Sequence, residues 1–154
     1  MKLFQIEEPD GGPADAGAPG AAIGIDACGP LAEVAFAVGG NALVLNDHEG
    51  YEQALPVPGV SAGAAAWQEI FEGARMRAER ALARPVTDVV VVLAARPDGE
   101  TARSIREAAR RAGLGVLRLV VKQELAGGLP PLLAAAMLAE DLAPRPELDP
   151  SRPR

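Results

Sequence analysis

AAIGIDACGPLAEVAFAVGGNALVLN, residues 21–46, contains three short apolar runs, 21–26, 31–38 and 42–46, interrupted by Cys28-Gly29-Pro30 and Gly39-Gly40-Asn41. Each run has strand length, and each interruption carries the residues that tight turns require. The stretch therefore reads as a three-stranded antiparallel meander. Asp26 stands at the end of the first run, where an extended chain enters its first turn.

After residue 63 the period changes. Trp67, Ile70, Phe71, Ala74, Ala78, Ala81 and Leu82 recur every three or four residues, with Glu69, Glu72, Arg75 and Arg80 on the other side of the cylinder, which predicts an amphipathic helix halted by Pro85. Residues 87–95, with Val89 to Val92 unbroken, predict a strand buried on both faces. Asp98 caps a second helix with an inner stripe of Ala102, Ile105, Ala109 and Ala112, and Gly113 provides its left-handed exit. Residues 116–121 form the next strand, and Leu132, Leu133, Ala136 and Met137 mark a last helix with Pro131 in its first turn. Strands joined by helical crossovers run parallel. The expected fold is α/β, a meander followed by helix, strand, helix, strand, helix, which is the element order of a ribonuclease-H-like or actin-like half domain.

Around this unit, residues 8–20 are rich in Gly, Pro, Ala and Asp without an apolar period, and residues 1–20 are expected to form a flexible leader. Residues 143–154, with Pro144, Pro146, Pro150 and Pro153, predict a disordered tail, leaving 21–142 as the folded domain. A chain of 154 residues suits one domain that buries roughly 70% of its unfolded surface. With 49% apolar but only 3% aromatic residues, its core is built from Ala, Val and Leu. A formal charge of −6 argues against nucleic acid as a partner, since neutralising phosphates takes a surplus of clustered Lys and Arg. The single cysteine fits a reducing compartment, and no apolar run is long enough for a signal peptide or a membrane span, so a cytoplasmic location is expected.

Ile23-Gly24-Ile25-Asp26 resembles the GIDLGTT hairpin that opens the ATPase domain of DnaK-type heat-shock chaperones. Further similarities follow in order. Leu45-Asn46-Asp47-His48-Glu49-Gly50 with Pro56 resembles the family's third strand and the turn after it. Residues 78–92 are similar to its helix leading into a VITVPA strand, 108–119 to its AGLEVLR segment, and 123–129 stand where it has NEPTAAAL. Leu3-Phe4-Gln5-Ile6-Glu7-Glu8-Pro9 and the DHEG string at 47–50 are similar to the HscA branch, devoted to iron-sulfur cluster assembly.

The resemblance implies a shortened, HscA-like version of the first ATPase subdomain, with a vestigial phosphate loop at Gly24, Asp26 and Gly29. In the family, paired Thr hydroxyls and backbone amides surround the phosphates while the Asp orients hydrated magnesium. Here the turn glycine is replaced by Cys28 and the Thr pair by Gly29 and Pro30, so hydroxyls and one N–H are lost. The insertion expected between about Val60 and Trp67, with the family's catalytic lysine, is missing, as is the second lobe. Gln123 or Glu124 falls near the family's magnesium-ordering glutamate, though a helix start is the favoured role for Glu124. Arg118 matches the arginine at which a J-domain co-chaperone docks. Cys28 and His48 fall short of the four ligands that a zinc or iron-sulfur site takes, unless a symmetric dimer pools them. A small buried thiol is the simpler reading.

The expected function is thus a non-catalytic, protein-binding accessory in iron-sulfur cluster assembly or protein folding. It would need no cofactor and would engage a J-domain co-chaperone or another assembly protein through Arg118. The alternative is an ATP- and magnesium-binding half completed by dimerisation or by a partner chain. A homodimer is also expected if the missing lobe leaves an apolar patch exposed.

Overall fold

The computed structural model describes residues 20–45, 55–58, 63–125 and 128–143. The meander forms β1 (Ala21–Ala27), β2 (Glu33–Val38) and β3 (Asn41–Val44). A two-residue turn joins β2 to β3, with Gly39 at φ 61° and Gly40 at φ 83°. Two successive left-handed residues match the twist of a tight hairpin, and only glycine enters that region without strain. The two turn amides donate to the Glu140 carboxylate, at 2.5 Å from Gly39 and 3.1 Å from Gly40, tying the hairpin tip to the last helix.

The rest of the chain alternates helix and strand: α1 (Ala64–Leu82), β4 (Val86–Leu93), α2 (Gly99–Arg111), β5 (Gly115–Val121), a short 3-10 turn (Lys122–Glu124) and α3 (Pro131–Leu142). Ala83 ends α1 in the left-handed region at φ 55°, its N–H donating to the Glu79 carbonyl. The Glu79 side chain in turn accepts from the Val86 N–H at 2.9 Å, which fixes the start of β4 against the helix end. Asp98 caps α2, its Oδ1 accepting from the Thr101 N–H at 2.7 Å. Gly113 follows that helix at φ 86°, and Pro131 opens α3.

The strands make one five-stranded mixed sheet in the order β3-β2-β1-β4-β5. β1 pairs antiparallel with β2 and parallel with β4, and β5 adds parallel to β4. The domain is α/β, with the sheet between two helical layers. Alternate residues of β4 feed the two sides: Val89, Val91 and Leu93 join the core under α1 and α2, while Val90 and Val92 join the core under α3. Trp67, Ile70, Phe71, Ile105 and Leu114 fill the first side.

On the other side, α3 lies almost on the sheet backbone. A Cβ at Gly24 would stand 2.5 Å from the Ala136 N and 2.7 Å from the Ala135 carbonyl carbon, so only glycine fits beneath the helix. Ala135, Ala136 and Ala139 present equally small groups to the sheet.

Several local details depart from the sequence expectations. Ala81 is exposed and Leu82 half-buried, because the buried stripe of α1 ends with Ala78, before the helix turns off at Ala83. Ala108 is buried in α2 where Ala102 was expected, since i and i+3 from Ile105 face the core together with Ala109. The second strand starts at Glu33; Leu31, two residues earlier, forms an isolated bridge with Pro56. The leader up to residue 19, the tail from residue 144 and the string Asp47-His48-Glu49-Gly50 fall outside the described residues. No described helix is long and apolar enough to cross a membrane.

Candidate functional site

Among the described residues, a concavity opens at the carboxyl ends of the parallel strands β1 and β4, where open α/β sheets usually present ligand sites. It has a volume of about 950 Å³. Cys28 and Gly29 come to it from the end of β1, Leu93 to Arg96 from the end of β4, and Asp98, Thr101 and Ser104 from the start of α2. Trp67, from the first turns of α1, forms part of the wall and stacks at a tilt on Phe71, with ring centroids 6.2 Å apart. Its buried indole N–H has no hydrogen-bond partner among the described residues.

The floor of the first turn is internally satisfied. The Asp26 carboxylate, half-buried, accepts the Cys28 N–H at 2.9 Å, so the acid closes its own turn. The Pro30 carbonyl accepts the Val57 N–H at 2.9 Å, tying the turn to residues 55–57. Burial, reinforced by the neighbouring Asp26, pushes the Cys28 thiol up to about 12, against a smaller opposing effect of Lys122. At neutral pH Cys28 is a protonated thiol and a poor nucleophile or metal ligand.

The rim is acidic. Its charged lining residues are Asp98, Glu100 and Arg96, and the Arg96 guanidinium is bound to Glu124. The Thr101 backbone N–H holds Asp98 below the usual carboxylate range, with Arg103 adding a smaller pull. Glu124 is lowered chiefly by the Val121 N–H, which its Oε1 accepts at 3.0 Å, and then by Arg96. Glu124 therefore locks the turn after β5 to the loop before α2. The Thr101 and Ser104 hydroxyls line the concavity with the Asp98 and Glu100 carboxylates, and neither His nor Lys is among its described lining residues.

The residues singled out from sequence separate in space. Gly29 lines the concavity, Asp26 sits just behind it, and Gly24 lies under α3 in backbone contact. Gln123 and Glu124 form part of the 3-10 turn. Arg118 is exposed on β5, at a register shift between Val89↔Val116 and Val90↔Arg118 that inserts an extra residue into the strand. Its side chain has no hydrogen-bond or ion-pair partner among the described residues. His48 lies outside them, and no group of three or more potential metal ligands occurs within them. Sequence reasoning missed Trp67 as a wall of this concavity, because its spacing reads equally as core. It also missed the Arg96–Glu124 link, which joins two loops. No family model matches the chain, and no curated protein matches its sequence.

Proposed function

We propose that this chain is a non-catalytic, HscA-like chaperone module that binds another protein in iron-sulfur cluster assembly or protein folding. The carrying observation is the first turn. Oδ1 of the carboxylate that would order a hydrated metal accepts the Cys28 N–H, the adjoining positions are Gly29 and Pro30, and Asp98 and Glu100 line the concavity nearby. Such a turn offers a phosphate little positive field and few donors. The strand order, with two parallel strands added to an antiparallel meander, supports an actin-like or ribonuclease-H-like half domain as the ancestral frame. The exposed, unengaged Arg118 supports docking of an acidic loop such as a J-domain co-chaperone presents, since a guanidinium binds carboxylates in a bidentate fork.

The test is capture of the chain on an immobilised J-domain co-chaperone of cluster assembly. Binding by the wild type that falls at least about tenfold in Arg118→Glu, equivalent to about 1.4 kcal/mol, is expected. No binding by the wild type, or equal binding by the variant, overturns the assignment of that face. A second reading, an ATP- and magnesium-binding half completed by dimerisation or by a partner chain, draws on the position of the concavity at the strand ends. It requires magnesium-dependent heat of ATP binding in calorimetry, which the first reading excludes for the isolated chain.

A further inference from the structure

The net charge of −6 is unevenly placed. Residues 99–124, which span α2, β5 and the 3-10 turn, carry six basic and three acidic side chains, so the acidic surplus lies elsewhere in the chain. All six basic groups, Arg103, Arg106, Arg110, Arg111, Arg118 and Lys122, are exposed. Two of the three carboxylates are engaged: Glu107 accepts from Arg110 at 2.6 Å and from Arg111 at 3.0 Å, and Glu124 is bound to Arg96. The third, Glu100, stands in the first turn of α2 and makes no ion pair among the described residues. Arg103 acts on Asp98 and Lys122 on Cys28, both at the concavity. Arg106 and Arg118 are left with no carboxylate partner among the described residues.

These two arginines meet at the β5 edge. Nη1 of Arg106 donates to the Val116 carbonyl at 3.3 Å, which ties the guanidinium from α2 to the strand. Arg118 stands two residues further along the same strand, across the register shift that follows Val116. At a rise of about 3.3 Å per residue, the two anchor points are about 7 Å apart. Exposed like charges at that spacing repel each other, and no described carboxylate lies between them to offset the cost. The extra residue, Leu117, also breaks the regular ladder, so this edge is a poor template for strand addition. What it presents to a partner is a pair of guanidinium groups.

We propose that Arg106 and Arg118 form one two-pronged site for an acidic segment of a partner protein, with one carboxylate of that segment in each guanidinium fork. The inference deepens the docking reading of Arg118, on which it rests for the choice of face, and adds α2 to the contact. A single exposed ion pair contributes little, so a lone Arg118 is a weak hold and the pair acting together is the stronger one. Charge complementarity selects the occupant. A planar guanidinium takes a carboxylate through two parallel hydrogen bonds, and acidic residues at i and i+2 of an extended segment are spaced to match the two prongs. A nucleic acid fits less well, because its line of phosphates would run past two prongs onto the surface of a chain that carries −6.

Fluorescence anisotropy on the full chain, with a dye-labelled peptide of alternating Glu and Ala as the probe, tests the proposal. Saturable binding is expected at about 20 mM salt, weakening at least about tenfold by 200 mM, while the matching Gln-Ala peptide does not bind. Arg106→Glu and Arg118→Glu should each weaken binding at least about fivefold, whereas Arg84→Glu, an equal change of net charge outside the pair, should leave it within about twofold. Should charge reversal disturb folding, Arg106→Gln and Arg118→Gln carry the decision. Absence of saturable binding by the wild type overturns the proposal, as does an Arg106→Glu variant that behaves like Arg84→Glu. Tighter binding of a single-stranded DNA of equal charge overturns the choice of a protein partner. The two readings fail separately. Capture on the J-domain co-chaperone that is lost in Arg118→Glu but kept in Arg106→Glu would overturn the pair and leave the docking reading standing. Peptide binding that depends on both arginines, with no capture by the co-chaperone, would support the pair and overturn that reading.

Discussion

The two faces of the sheet solve the same burial problem with opposite materials. Under α1 and α2 lie the large groups: all three aromatic residues among those described, Phe36, Trp67 and Phe71, together with Ile70 and Ile105, pack on that side. Under α3 the contact is made by Ala22, Ala35, Ala37, Ala135, Ala136 and Ala139, with Gly24 at the point of closest approach. A core of large side chains holds helices away from the sheet and gains its free energy from area removed from water. A core of small ones brings backbone to backbone and gains it from close atomic contact, which tolerates no added atom. The described aromatic residues lie on one face, and on the other Ala and Gly line the closest approach of α3, beside Val90, Val92, Val120 and Leu132.

The largest expected effect tests the first face. Phe71→Ala removes a ring with no exposed surface and should destabilise the domain by about 3–5 kcal/mol, much of a typical domain's stability, as read by urea denaturation. A loss below about 1 kcal/mol would mean that the aromatic face collapses around the gap and is not the main anchor. Next comes the small-residue face. Gly24→Ala places a methyl against α3 backbone atoms, and about 1–3 kcal/mol of destabilisation is expected, with hydrogen exchange accelerating in α3 more than in α1 or α2. Acceleration spread evenly over all three helices would show that the faces are one cooperative unit and erase the distinction.

The smallest effect concerns Cys28, which packs against the α3-side core at the end of β1. Its thiol ordinarily titrates near 9 and in the fold is pushed up to about 12. Between those values the unfolded chain has released the proton that the folded chain still holds, so the unfolded state binds fewer protons and stability falls as pH rises through this window. Alkylation by iodoacetamide near pH 9 should run more than about tenfold slower in the native chain than in urea. Equal rates would mean that this end of the small-residue face is open to solvent.

How much of this was legible in the residues is clear at particular positions. The turn glycines 39 and 40, the Asp98 cap, the Val89–Val92 run and Pro131 at a helix start all act within a few residues of themselves, and each is found in the role its chemistry indicated. Gly24 is different. In sequence it is part of a GID string that resembles a phosphate hairpin, and nothing local reveals that a helix more than a hundred residues away rests on it. Arg96 and Glu124 are equally opaque, because each is an ordinary loop charge until the fold brings the two loops together.

The sequence by itself therefore determined the order and kind of the elements, since period, turn chemistry and capping are short-range properties of the chain. It also contained Gly29 and Pro30 in the first turn, neither of which brings a side-chain hydroxyl. Only the tertiary structure decided which face each helix covers and that α3 rests on Gly24. Those outcomes depend on side-chain volumes and hydrogen-bond phase meeting across the sheet, where a methyl group or a one-residue shift changes the result and no local pattern records it.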